Sequence, residues 1–262
     1  MTISANLQSG TPVSRATKSS AGGKKPDGAC WNCGAETRAA HFCPACGRIQ
    51  PLAADADYFA FFGLPRKLQL DSAELERQFL LLSWKLHPDN FVRASDCERE
   101  LSLDRSSRLN DASRILQNPL SRVEYLLERE GVRREGAAKQ QAPPELLAEV
   151  FELNESLDEM RSVRADNLAD GEEAAALRDR LVEAQGDFQE KLAEIDAELS
   201  AASGDWDAAL EFESGNGSNA AAPARRAELL ARLNEILNRR SYVRNLVNTV
   251  QGELEQSELE QR

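Results

Sequence analysis

Nowhere does this 262-residue sequence hold the roughly 18 consecutive apolar residues that a bilayer-spanning helix needs, so no membrane span is expected. The opening MTISANLQSGTPVSRATKSSAGGKKPDGA has no apolar centre either, which excludes a secretory signal. Basic, rich in Ser and Thr and free of acid until Asp27, it reads as a disordered cytoplasmic tail over residues 1–29. An organellar transit peptide, and with it the mitochondrial matrix, is the alternative. Positive charge is also short: 32 Lys and Arg face 44 Asp and Glu, a formal net charge of −12. A general nucleic-acid binder needs cations to displace phosphate counterions, so no nucleic-acid partner is expected. Aromatic residues are only 6% of the chain, and no phosphate-cradling glycine loop or nucleophile–base constellation is visible. We therefore expect no enzyme and no organic cofactor. What is abundant is Leu, Ala, Glu and Arg, the composition of a mainly α protein.

Cysteine is scarce but placed. Cys30-Trp-Asn-Cys33 is followed after nine residues by Cys43-Pro-Ala-Cys46. A Cys-x-x-Cys pair turns the chain tightly enough for two sulfurs to grip one ion, and Gly34 and Gly47 supply the unhindered backbone that closes each turn. Four thiolates complete a tetrahedral site, so a structural zinc module is expected over residues 30–50, with Cys30, Cys33, Cys43 and Cys46 as ligands. Two disulfides are the alternative, as is iron in place of zinc, and His41 could replace one thiolate. A thioredoxin-type redox pair lacks its βαβ surroundings. Cys97 stands alone and reads as an ordinary small side chain.

After Pro51 the pattern becomes helical. Asp57 to Pro65 reads as a short apolar helix closed by Gly63 and Pro65. Asp71 opens a second helix, with Glu74 positioned to complete a capping box, and Leu75, Phe79, Leu82 and Leu86 make its inward stripe. Pro88 ends it, because the residue before a proline is pushed out of the helical region. A third helix begins near Ser95, carries Leu101, Leu109, Ala112, Ile115 and Leu116 inward, and stops at Asn118-Pro119. Two antiparallel helices are thus joined by a loop bearing His87, Pro88 and Asp89. Beyond a linker at 140–144, three further stripes predict a helical bundle or coiled coil. The first holds Leu146, Val150, Leu153, Leu157 and Met160; the second runs from Leu177 through Phe188 to Leu199; the third runs from Leu229 through Leu233 and Ile236 to Leu254. A low-complexity insertion at about 213–223 separates the last two. Leu147 and Phe151, four apart and beside several glutamates, fall at the edge of the first stripe and form either a docking patch or a wide core margin.

These residues carry a resemblance. DYFAFFGLP, the helix ending at His87-Pro88-Asp89, LNDASRILQNP and NPLSRVEYLLEREG together look like the J-domain and junction of HscB-type co-chaperones of iron–sulfur cluster assembly. The resemblance implies a J-domain over 56–131, a helical hairpin, followed by a three-helix scaffold-binding bundle over 143–258. It implies that His87, Pro88 and Asp89, flanked by Arg77, Lys85 and Arg93, dock on a DnaK-type (HscA-like) chaperone and stimulate its ATPase. It further implies that Leu147, Ala148, Phe151, Glu152, Glu155, Glu159 and Leu233 face the IscU-like cluster scaffold protein, Ala148 being smaller than is usual there. Some family members also carry a paired-cysteine module. Weak self-association of the bundle stays open. So does a different client for the bundle, while a nucleic-acid-reading zinc module is disfavoured by the charge balance.

Overall fold

The computed structural model describes residues 28–37, 40–52, 56–133, 144–165, 171–216 and 222–259. They belong to two compact units, one ending at residue 54 and one beginning at residue 55. Residues 1–27 of the expected tail, the linker before Pro144 and the middle of the insertion, residues 217–221, lie outside the described residues; the tail's last two, Gly28 and Ala29, belong instead to the first turn.

The first unit is a pair of matching turns. Cys30 N–H donates to Ala35 O at 2.8 Å and Gly34 N–H to Cys30 O at 3.0 Å; thirteen residues on, Cys43 N–H donates to Arg48 O at 2.8 Å and Gly47 N–H to Cys43 O at 2.9 Å. One antiparallel bridge closes each turn, Ala29 to Glu36 and Phe42 to Ile49. Gly34 and Gly47 sit at φ 76° and 70°, the left-handed region in which a side chain is strained. The Trp31 indole donates to Ile49 O at 2.6 Å and so ties the two turns together.

The second unit is helical. Short α1 (Tyr58–Phe61) precedes the antiparallel pair α2 (Ser72–Leu86) and α3 (Asp96–Gln117), then α4 (Pro119–Arg129). The bundle is α5 (Leu147–Ala165), α6 (Glu172–Asn216) and α7 (Ala222–Leu259). The mainly α class expected from composition and periodicity is what is observed.

Local signals set these limits. Asp57 caps α1 by accepting from Ala60 N–H at 2.7 Å. Asp71 caps α2 through Ala73 and Glu74 N–H, but the capping box expected there does not form, because the Glu74 carboxylate turns to Arg77 and Gln78 instead. The complete box lies at α3, where Ser95 and Glu98 bond reciprocally. Asn118 caps α4, with Pro119 at the first position where a missing N–H costs nothing. In α2, Leu75 and Leu86 are fully buried while Phe79 and Leu82 are only half-buried, so the inward stripe is narrower than its spacing predicts.

The bundle stripes are deeper. Leu146, Val150, Leu153, Leu157 and Met160 of the α5 segment, Leu177, Leu181 and Phe188 of α6, and Leu233, Ile236 and Val250 of α7 join one core. That core does not stop at the bundle: Leu68, Val123, Leu126 and Leu127 of the hairpin side belong to it. At roughly 1.5–3 kcal/mol for each buried large aliphatic side chain, this shared core is a strong tie. The insertion is shorter than its composition implies, since α6 continues to Asn216 and α7 begins at Ala222.

Polar contacts fix the junction. The Asp207 carboxylate, on α6, accepts from Leu68 N–H at 2.7 Å and Gln69 N–H at 2.8 Å. The Trp206 indole donates to Arg66 O at 2.8 Å, and Lys67 pairs with Glu211 at 2.5 Å. Buried Arg122 of α4 gives its guanidinium to carbonyls, Leu116 O on one side and Leu68 O on the other. The chain between α1 and α2 is therefore clamped from α4 and α6 at once.

Candidate functional site

The loop after α2 is built to protrude. His87 leaves the helix at ψ 132°, as the following proline demands, and Pro88 opens a single 3₁₀ turn over Pro88–Phe91. Five hydrogen bonds and one buried ring hold it. The Leu86 carbonyl, unable to find an intrahelical donor, accepts from Ser102 Oγ at 2.7 Å and Ser106 Oγ at 3.0 Å, both on α3. His87 Nδ1 accepts from Asp89 N–H at 3.2 Å, and His87 O from Asn90 N–H at 3.0 Å. Asn90 Nδ2 reaches back to Trp84 O at 2.6 Å. Phe91 anchors the far end in the core.

With the backbone so restrained, the Asp89 side chain is 85% exposed. Its Oδ2 lies 3.6 Å from His87 Nδ1, too far for a hydrogen bond, and that nitrogen is already taken up in accepting the Asp89 N–H. The arrangement offers a partner an ionised acceptor at the tip of a stiff bend. It holds no nucleophile, and the second histidine, His41, is in the other unit. Arg77, Lys85 and Arg93 are all exposed; Arg77 pairs with Glu74, while Lys85 and Arg93 make no ion pair among the described residues.

On the bundle, Leu147 and Phe151 are exposed, Phe151 to 71%, and Ala148, Glu152 and Glu155 lie exposed beside them. Glu159 is exposed too, but Arg180 of α6 pairs with it at 3.1 Å and donates to Ser156 at 2.8 Å. Leu233 does not belong to this surface. It is fully buried, filling the core where the three helices meet, and cannot touch a partner without unpacking α7. Spacing alone did not single out Arg180 or Lys191, which bonds Glu149 at 2.5 Å. Both sit on the solvated side of α6 and lower the net negative charge of the α5 face.

In the other unit the ligand atoms of Cys30, Cys33, Cys43 and Cys46 all lie within 4.8 Å of one another. The Cys30–Cys46 and Cys33–Cys43 sulfurs are 3.6 and 3.7 Å apart. That is far beyond a disulfide bond of about 2.05 Å and close to the roughly 3.8 Å edge of a tetrahedron with metal–sulfur bonds of about 2.3 Å. His41 is not in the group. Burial works against charge on Cys30, yet the Cys33 and Asn32 N–H groups and the neighbouring thiols bring its pKa down to about 6. The Ala35 N–H lowers Cys33, but burial and the three surrounding thiols outweigh it and push that thiol up to about 11. Four sulfurs this crowded resist common ionisation unless a cation shares them, which is the chemistry of a metal centre. The four residues fit a metal ion.

The chain is similar to several known proteins. The co-chaperone protein HscB homolog of Vibrio vulnificus is 37% identical over 144 residues, 55% of this chain and 80% of that protein. The chain belongs to the HscB co-chaperone family. The iron-sulfur cluster co-chaperone protein HscB of Mus musculus is 34% identical over 149 residues, covering 55% of this chain and 64% of the mouse protein. The Arabidopsis thaliana homolog is 38% identical over 130 residues, 50% of this chain and 51% of its own length. The crystal structure of human co-chaperone protein HscB superposes with a TM-score of 0.56 at 27% identity, over 85% of this chain and 96% of the human one. No family model matches. Among the described residues no helix is long and apolar enough to cross a membrane.

Proposed function

We propose that this HscB-family co-chaperone serves iron–sulfur cluster assembly by holding a loaded scaffold protein on its bundle while its J-domain loop triggers ATP hydrolysis in a DnaK-type chaperone. The observation that carries the reading is the outward Asp89 carboxylate on a loop tied down at Leu86, His87, Asn90 and Phe91. Asp89 would accept a charge-assisted bond from a chaperone arginine, with Pro88 fixing the loop and His87 helping to orient it through the Asp89 N–H. Arg77, Lys85 and Arg93 would meet acidic chaperone surface. The hydrolysis itself is the chaperone's chemistry.

Leu147, Ala148, Phe151, Glu152, Glu155 and Glu159 would receive the scaffold, Phe151 as the apolar anchor and Glu152 and Glu155 as acceptors for its cations. Leu233 would support α5 from beneath. Because hairpin and bundle share one core, scaffold and chaperone would be held at a fixed separation, which raises the effective concentration of one at the other. The metal is assigned as zinc in a structural role, its four thiolates leaving no open coordination position. The cytoplasm is the proposed compartment, with the mitochondrial matrix the alternative.

Two variants test this. In single-turnover ATP hydrolysis by a purified DnaK-type chaperone, Asp89→Asn is expected to abolish stimulation, since losing one side of a desolvated charge pair costs about 2–5 kcal/mol. Phe151→Ala is expected to lose the scaffold in co-precipitation. Wild-type stimulation by Asp89→Asn would remove the docking reading; undiminished scaffold recovery by Phe151→Ala would assign the bundle to another client.

A further inference from the structure

Hairpin and bundle do not close completely on one another. Between the chain before α2, the start of α4, and helices α6 and α7 lies a cleft of about 590 Å³. Small-molecule sites span roughly 300–1,000 Å³ and favour such internal boundaries. Half-buried Leu70 and Leu120 and buried Leu199 give the cleft apolar walls. It shares no residue with the loop at 87–89 or with α5, so it belongs to neither docking surface.

One wall holds a cation with no anion in contact. Arg122 lines the cleft and is 3% exposed. A guanidinium carries five N–H groups. Nε and Nη2 each give one to Leu116 O, and Nη1 gives one to Leu68 O. One N–H on each Nη is left without an acceptor among the described residues, and no carboxylate there forms an ion pair with Arg122. Burial pulls the Arg122 pKa below its ordinary value, and the attraction of Asp207 offsets that only in part. A buried charge in this condition is costly, and an anion brought into contact relieves it.

The other charges around the cleft are spent. Arg240 holds Asp196 through Nε and Nη2. The start of α4 turns the positive end of its dipole to the same space, but Asn118 Oδ1 already accepts the Leu120 and Ser121 N–H groups, so this end adds field and no hydrogen bond. One uncommitted cation suits one negative charge, and the leucines suit an apolar tail. A phosphate dianion would bury a second charge beside Asp196 with nothing to meet it.

We propose that this cleft binds a small monocarboxylate with an apolar tail, its carboxylate on the two remaining N–H groups of Arg122 and its tail along Leu70, Leu120 and Leu199. Such a ligand touches the hairpin side, α6 and α7 at once, so its binding stabilises the junction that Asp207 clamps.

Octanoate is the probe, with octanamide as its uncharged match and octyl phosphate as the more highly charged one. Titration calorimetry on the full-length protein is expected to give one octanoate per chain, with a Kd on the order of 0.1–1 mM. Octanamide and octyl phosphate should bind at least about tenfold more weakly, and the Tm should rise with octanoate concentration. Ser200→Trp, which fills the cleft from an exposed position on α6, should weaken octanoate by at least about tenfold with unchanged circular dichroism. In the wild-type protein, octanoate should shift the backbone amide resonances of Leu70, Leu120, Ser200 and Arg240, a readout that depends on no variant folding. Absence of binding at about 10 mM octanoate overturns the proposal and leaves a cleft filled by water. Octanamide or octyl phosphate binding as tightly as octanoate, wild-type affinity in Ser200→Trp, or resonance shifts confined to other surfaces overturn it as well.

Discussion

Asp207 is the most consequential contact between hairpin and bundle, and replacing it with alanine has a calculable cost. Asp207 is almost fully buried, and its carboxylate accepts two backbone N–H groups, from Leu68 and Gln69. In Asp207→Ala both donors lose their acceptor. Leu68 is 3% exposed, so water cannot replace the carboxylate there, and an unsatisfied buried donor costs about 1–3 kcal/mol. Gln69 N–H is closer to solvent and adds roughly 0.5–1 kcal/mol. Against this, the variant no longer buries a carboxylate. Burial raises the Asp207 pKa above its ordinary value even though the Leu68 and Gln69 N–H groups, Lys67 and Arg122 pull it down, so the ionised form is held at some expense. We expect a net loss of about 2 kcal/mol at neutral pH, or roughly 4–8 °C in Tm for a unit of this size. The pH dependence has a definite sign. A carboxyl whose folded pKa is raised contributes stability that is present at low pH and is lost as pH rises through the folded pKa, because the folded state binds the extra proton. Wild type therefore gains from this group on acidification and Asp207→Ala does not, so the difference between them widens as pH falls. Urea unfolding at neutral and mildly acidic pH measures both quantities. A neutral-pH difference under about 0.5 kcal/mol, or one that narrows on acidification, refutes the reasoning.

Leu233→Ala is expected to destabilise the helical unit by about 2–5 kcal/mol through a core cavity, read in thermal melts, rather than to weaken scaffold binding in a protein that stays folded. Replacing Ser102 and Ser106 together with alanine leaves the Leu86 carbonyl without its α3 donors. About 1–2 kcal/mol of loop stability should be lost, and amide exchange at Asp89 and Asn90 should quicken while exchange in α6 is unaffected. Treatment with a strong chelator should release one metal ion per chain and erase the near-ultraviolet signal of Trp31, leaving the helical content of α2 to α7 unchanged.

What the sequence disclosed was local. The paired cysteines, the proline that ends α2 and the bundle stripes each depend on neighbours within a few residues, and spacing alone placed them. Leu233 is instructive because the periodicity of α7 already put it in the inward stripe. Only the family resemblance moved it to the surface, and packing returned it. The Asp71–Glu74 spacing permits a capping box, yet Glu74 has Arg77 and Gln78 within reach on the next turn and bonds them instead. The clamp was illegible for a different reason. Asp207 and Leu68 are 139 residues apart, and an Asp on a long charged helix looks solvated until the chain it meets is known.

The central claim is that this chain makes a DnaK-type chaperone respond to a scaffold protein. The direct measurement is steady-state ATP turnover by the chaperone with scaffold present, with and without this chain. The account predicts that the chain and the scaffold together raise turnover well above the sum of their separate effects, and that Asp89→Asn removes the gain. Turnover that the chain leaves unchanged, or raises equally whether or not scaffold is present, would contradict it.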